Sequence, residues 1–278
     1  MSTLTARRLA DALGVSESSL KRWADDGRIP ASRTEGGHRR IRVEDALQFI
    51  RSRRLPLVRP ELLGLMEAPD DEALIELLVS AAPAATTAAL TRFVRGDGIA
   101  ALGDGPIRRA LERVGAGWQH DADGVYLEHR TTVLCGEVVA RLRAMLAEPP
   151  PGRPVAVGAA APGDPYTLPT ALCAAVLAEV GLATVNLGAD CPTQALLRAA
   201  QRERAALVWV SVSAPPTSTT LAALAAVEHD LAAAGVRLVV GGRAASSLAG
   251  VVQTAPVPDL EQLAALGRSV LTRDHVGA

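Results

Sequence analysis

Two groups of residues in this chain have types and spacing able to do chemistry, and a third lies between them. Near the N-terminus, Ser18, Ser19, Lys21 and Arg22 share one short stretch, and Arg33, His38, Arg39 and Arg40 follow soon after. Hydroxyls and cations in that density suit the phosphate oxygens and base edges of double-stranded DNA, the charges supplying affinity and the directed donors supplying readout. In the last third, PGDPYTLP (Pro162 to Pro169, with Tyr166), SVSAPP (with Ser211 and Ser213) and the pair Gly241-Gly242 each follow an apolar run. Polar groups and glycines at the ends of buried strands are where open α/β sheets take ligands. In the middle, Trp118 precedes the pair Glu128-His129 by nine intervening residues. No nucleophile, base and oxyanion set stands out, so no catalytic residues are assigned and the chain is not read as an enzyme. VGAAAPGD also lacks the G-x-G-x-x-G turn of a nucleotide-dependent oxidoreductase.

Charge separates these groups. Residues 1–59 carry 13 Lys and Arg against 7 Asp and Glu, a net +6, and the remainder carries a net −7. A polyanion is therefore a partner for the head and not for the rest. Only 3% of residues are aromatic while 49% are hydrophobic, so the core must be built from Ala, Val and Leu. Cys135, Cys173 and Cys191 are widely spaced without a CxxC pair and read as reduced, buried side chains, not metal ligands. With neither a secretory leader nor an apolar run long enough for a bilayer, the expected location is the cytoplasm, away from membranes.

The elements that must position these groups fall into three parts, making a multidomain α and α/β protein. Residues 1–56 read as a winged helix-turn-helix. Leu4, Leu9, Ala12 and Leu13 line one helical face, Gly14 breaks it, Ser16 caps a second helix ending near Gly27, and Gly36-Gly37 turns a basic hairpin. Val43 to Arg53 then forms a supporting helix, acidic at its start and basic at its end as its dipole favours. Pro56 to Pro60 reads as a linker. Residues 61–148 read as a bundle of about four helices with breaks at Pro69, Pro83, Gly96 to Gly105 and Gly124. Past PPPGRP, residues 153–274 alternate strands (154–160, 183–187, 207–213, 237–240) with helices (170–180 and 193–203 among them). That alternation implies a Rossmann-like parallel sheet covered on both faces.

Through LADALGVSESSLKRWADDGRIP and TEGGHRRI the sequence resembles the MerR superfamily, in particular its short single-winged members, over most of residues 3–54. GAGWQHDADGVYLEHRTT resembles the helical bundle of the CarH/LitR light-responsive repressors, a branch of that superfamily. There the Trp and the Glu-His pair cap the upper face of adenosylcobalamin, which implies those roles for Trp118, Glu128 and His129. The C-terminal part resembles cobalamin-binding domains. In these, a His in the loop after the first strand ligates cobalt, a Ser on the third strand contacts the buried nucleotide tail, and a Gly pair lets backbone approach it. Ser211, Ser213, Gly241 and Gly242 match the last two roles. Tyr166 stands where the His would be, and Pro169 where a Gly would be. A neutral phenol has no basic nitrogen, and a phenolate is costly when the ordinary pKa is about 10.

Three outcomes stay open for the C-terminal module: cobalamin held without a protein lower ligand, a different ligand in the same cleft, another tetrapyrrole such as a Tyr-ligated haem among them, or a domain that senses nothing and only assembles subunits or docks a partner. The resulting expectation is a transcription regulator, repressor or activator, whose module senses a tetrapyrrole, with light acting through adenosylcobalamin, and sets the state of a homo-oligomer, dimer or tetramer, on DNA. A ligand-independent regulator switched by a protein partner is the alternative. A corrinoid carrier protein has no use for a basic winged head.

Overall fold

The computed structural model describes residues 3–117 and 122–274, with side chains described within 3–116 and 123–272. It divides into two compact units, Met1–Gly98 with Gly105–Ala147 and Ile99–Asp104 with Glu148–Ala278.

The first unit opens with β1 (Thr3–Thr5) and α1 (Ala6–Leu13). Leu4, expected on the helical face, lies in β1 instead. Thr5 caps the helix by accepting from Arg8 N at 3.1 Å, which starts α1 at Ala6, two residues after Leu4, and Leu4 pairs with Ile41. Gly14 ends α1 at φ 67°, in the left-handed region where Gly meets no Cβ penalty. Ser16 caps α2 (Glu17–Asp25) through Ser19 N at 3.1 Å. Next come β2 (Ser32–Arg33), β3 (Arg39–Arg42) and α3 (Val43–Arg53). The hairpin turns through Gly37 at φ 76°, and the three antiparallel strands run in the order β1-β3-β2.

Residues 56–60 do not run as a free linker. Val58 N and Arg59 N donate to Ala12 O at 2.9 and 3.0 Å, and Arg8 Nε donates to Leu62 O at 2.8 Å, so this segment lies along α1. The bundle of this unit comprises α4 (Asp71–Val79) and α5 (Ala84–Arg95), followed after α6 (Ile99–Leu102) by α7 (Arg108–Gly117) and α8 (Ala122–Ala144). Gly124, expected as a break, sits inside α8. A lone Gly lowers helix propensity by only about 1 kcal/mol, which the buried face of a 23-residue helix outweighs. Leu74, Ile75, Leu78, Phe93, Cys135, Val138 and Leu142 are buried in its core. Burial pushes the Cys135 thiol up to about 12, so it stays protonated at neutral pH.

The second unit is a four-stranded parallel sheet, β4 (Val155–Ala160), β5 (Ala183–Asn186), β6 (Leu207–Ser211) and β7 (Arg237–Gly241), in the order β5-β4-β6-β7. Helices α9 (Thr167–Glu179), α10 (Thr193–Arg202), α11 (Ser218–Ala233) and α12 (Leu260–Asp274) surround it. Val157, Ala159, Val208, Val210 and Val240 face α10 and α11. Alternation along the strands therefore turns Gly158, Ala160, Trp209 and Ser211 to the other face, where α9 lies. Helix α6 belongs to this unit too: Ile99 N donates to Glu179 at 2.7 Å, and Ile99, Ala100 and Leu102 are buried.

Candidate functional site

In the head, α2 begins with three serines that bind one another. Ser16 Oγ lies 2.9 Å from both Ser18 Oγ and Ser19 Oγ, and Ser18 remains exposed. The start of α2 thus combines free hydroxyl capacity with the positive end of the helix dipole, a suitable face for phosphate or base edges. Lys21 pairs with Glu17 at 2.8 Å one turn away, and the Lys21 hydrogen bond holds the Glu17 carboxyl below its ordinary value. Arg22 is exposed, with no side-chain partner among the described residues.

The wing cations are not equivalent. Arg39 grips Asp25, at the end of α2, with Nη2 at 2.7 Å from both carboxylate oxygens and Nε at 3.1 Å, while Arg33 Nη2 reaches the same carboxylate at 3.2 Å. Arg33 and Arg39 are cross-strand partners. One carboxylate therefore fastens both strands of the hairpin to the second helix. The Arg39 hydrogen bonds, with its charge and that of Arg33, hold Asp25 below its ordinary value of 3.8. Arg40 and His38 keep their side chains free of such ties, His38 exposed at the turn. Asp25 is a residue the sequence reading missed. Its signal was an acid in the last turn of a helix, where the dipole disfavours it unless cations compensate.

In the bundle, Trp118 lies outside the described residues. Glu128 and His129 are neighbours on α8. His129 Nδ1 sits 2.9 Å from Glu128 Oε2 and 2.9 Å from Val125 O, and Glu128 Oε1 accepts from Thr132 at 3.1 Å.

In the α/β unit the β4–α9 loop is organised by Asp164, buried and missed by the sequence reading. Its carboxylate accepts from Tyr166 N at 3.0 Å and Ser213 N at 2.5 Å. Tyr166 is 41% exposed, and the Arg243 guanidinium stacks on its ring 4.8 Å from the centroid, while Arg243 Nε donates to Ser213 O at 2.9 Å. Tyr166, Ser213 and Arg243 are thus brought together. The Gly241-Gly242 pair serves the chain's own backbone: at φ 114°, a Cβ on Gly242 would lie 2.4 Å from Val212 O. Ser211 Oγ is buried with no hydrogen-bond partner among the described residues. A cleft of about 590 Å³ opens elsewhere, along the first half of β7, and its Glu228 is already committed to Gln253 N and Thr254 N.

A winged helix-turn-helix, a helical region and a Rossmann-like parallel sheet are the architecture of this chain. Residues 3–54 match the family model described as a helix-turn-helix domain, and residues 154–251 match the B12 binding domain. Among solved structures, the monomethylamine corrinoid protein of Methanosarcina barkeri is 14% identical, with a TM-score of 0.54 over 71% of this chain and 96% of that one. A cobalamin-binding protein from Desulfitobacterium hafniense DCB-2 is also 14% identical, with a TM-score of 0.40 over 73% of this chain and 99% of that one. The first likeness is one of fold. No curated protein matches the sequence.

A corrinoid held as the family resemblance implies needs a basic nitrogen at position 166 and open space beside Ser211. The orphaned Ser211 hydroxyl suits such a ligand. Against it, position 166 carries a phenol under a stacked guanidinium, and the indole of Trp209, two residues before Ser211, is buried against Thr170 of α9 and the backbone of Gly158. The residues present do not fit a corrinoid bound in that manner.

Proposed function

We propose that this protein is a MerR-type transcription regulator that binds double-stranded DNA in the cytoplasm through its N-terminal head, and that its B12-binding-type domain is the regulatory module that sets its self-association. The observation that carries this reading is the head itself: a serine-capped second helix with a basic hairpin fastened beside it, over residues that match a helix-turn-helix domain. Ser18, Ser19, Lys21 and Arg22 face base edges and phosphates, while Arg40 and His38 reach the backbone from the wing. Ligation of DNA by paired heads links assembly to affinity, since two individually weak contacts joined in one particle bind far more tightly than either alone.

The signal has two readings, each with its own support. A tetrapyrrole, cobalamin foremost and adenosylcobalamin if light is the stimulus, is supported by the B12 binding domain match and by the unpartnered Ser211 hydroxyl. Under it, Trp118, Glu128 and His129 would carry the cap roles that the resemblance implies, and Tyr166, Ser211, Ser213, Gly241 and Gly242 the roles it implies within the α/β unit. A ligand-independent module, switched by a protein partner, is favoured by the stacked Tyr166–Arg243 pair at the position a metal ligand would need.

Binding of the full chain to a mixed-sequence duplex, followed by fluorescence anisotropy between about 50 and 200 mM salt, tests the DNA reading. Affinity should fall steeply with salt, and Arg22→Ala with Arg40→Ala should flatten the log–log slope by about 1 to 2. A full chain with no affinity for duplex at the low end of that range would sink the assignment.

A further inference from the structure

Trp209 is the largest fully buried side chain among the described residues, at 1% exposure. It stands two residues before Ser211 on β6, on the sheet face covered by α9. Its Nε1 donates to Thr170 Oγ1 at 2.9 Å, and Thr170 Oγ1 donates to Asn186 Oδ1 at 2.9 Å, so one polar chain links β6, α9 and the end of β5. Across the sheet, Trp209 is in register with Gly158 on β4. A Cβ added to Gly158 would fall 2.0 to 2.4 Å from three atoms of the indole ring. The ring therefore lies over the Gly158 backbone in a gap only glycine leaves, with its one polar atom satisfied. Packed aromatic rings with paired N–H groups are not readily displaced.

The rim of the same face is closed as well. Asp164 is spent on the backbone of Tyr166 and Ser213, and Arg243 lies on Tyr166 while holding Ser213 O. The Ser211 hydroxyl, buried two residues after Trp209 on β6, has no hydrogen-bond partner among the described residues.

We propose that Trp209 is the resident occupant of the space between the sheet and α9, and that this domain therefore excludes any corrinoid whose nucleotide tail must enter there. The inference rests on reading the α/β unit as a regulatory module of B12-binding type. It favours regulation that does not depend on a tail-inserted cobalamin, because the volume that such a tail needs is already filled by protein.

The test compares hydroxocobalamin with cobinamide, a corrinoid without the nucleotide, by equilibrium dialysis against the full chain with visible absorbance as readout. The wild-type protein should retain cobalamin no better than cobinamide, whether it retains both or neither. Trp209→Gly, shown folded by circular dichroism, should prefer cobalamin over cobinamide by at least about tenfold. Trp209→Val, which removes less volume, serves if the glycine variant does not fold, and the same direction of change is expected. A wild-type protein that binds cobalamin at least about tenfold more tightly than cobinamide overturns the proposal, as does a folded Trp209 variant with no preference. Duplex binding measured on the same preparations keeps the two questions apart: its loss with the corrinoid result intact strikes the regulatory reading and leaves the plugged cleft standing.

Discussion

At the scale of residues, the head shows that a count of cations overstates how many are available to DNA. Two of the wing arginines, Arg33 and Arg39, are engaged by Asp25, whereas Arg40 and Arg22 are not. Asp25→Asn releases both guanidinium groups toward the phosphates. Affinity for mixed-sequence duplex at low salt should rise a few-fold and the salt slope should steepen by about 1 to 2, while preference among sequences falls because the wing is no longer held to α2. An unchanged slope in an anisotropy titration would show that the two arginines reach DNA despite Asp25. The same pair has a sign in pH. Asp25 is held below 3.8, so its tie to the wing is complete above that value and is lost as pH falls through the lower folded-state value. Neutral and mildly acidic solutions leave the wing in place.

Among the elements, α2 depends on its first turn. Ser16 accepts from Ser19 N and also orders the hydroxyls of Ser18 and Ser19. Ser16→Ala should lower stability by about 1 kcal/mol in urea denaturation of the full chain. It should also weaken duplex binding, since the same hydroxyls lie at the surface assigned to DNA. Much at this scale was legible in advance. The boundaries of α3 and of all four parallel strands lie within one or two residues of the expected ones, because the strands are short continuous apolar runs bounded by polar or turn residues and α3 carries its acids and bases at opposite ends. Leu4 was misassigned because an apolar residue at helical spacing also satisfies a strand, and only the distant partner Ile41 decides between them.

For the whole molecule, the two compact units are not two successive lengths of chain. Residues 99–104 leave the helical region and belong to the α/β unit, where the Asp104 carboxylate accepts from Leu260 N at 2.8 Å and Glu261 N at 3.2 Å at the start of α12. Gly103 has no room for a side chain beside Leu260 and Leu172. Asp104→Ala should remove about 1 to 2 kcal/mol, by leaving those two helix-terminal N–H groups without their acceptor. Hydrogen exchange in the first turn of α12 should speed up correspondingly, and exchange unchanged there would refute the capping role.

By itself the sequence determined what depends on local pattern: a basic helix-turn-helix with a hairpin wing, a helical middle, and a parallel sheet whose strands lead to Tyr166, Ser211, Ser213 and Gly241. Periodicity, caps and turn residues act over a few positions and are written in the order of the residues. Which of the cations are spent on Asp25, that Gly158 makes room for Trp209 fifty-one residues later, and that residues 99–104 pack with α12 were decided only by the tertiary structure. Those outcomes rest on contacts between distant segments, where the free energy of burial and pairing depends on what the fold brings alongside.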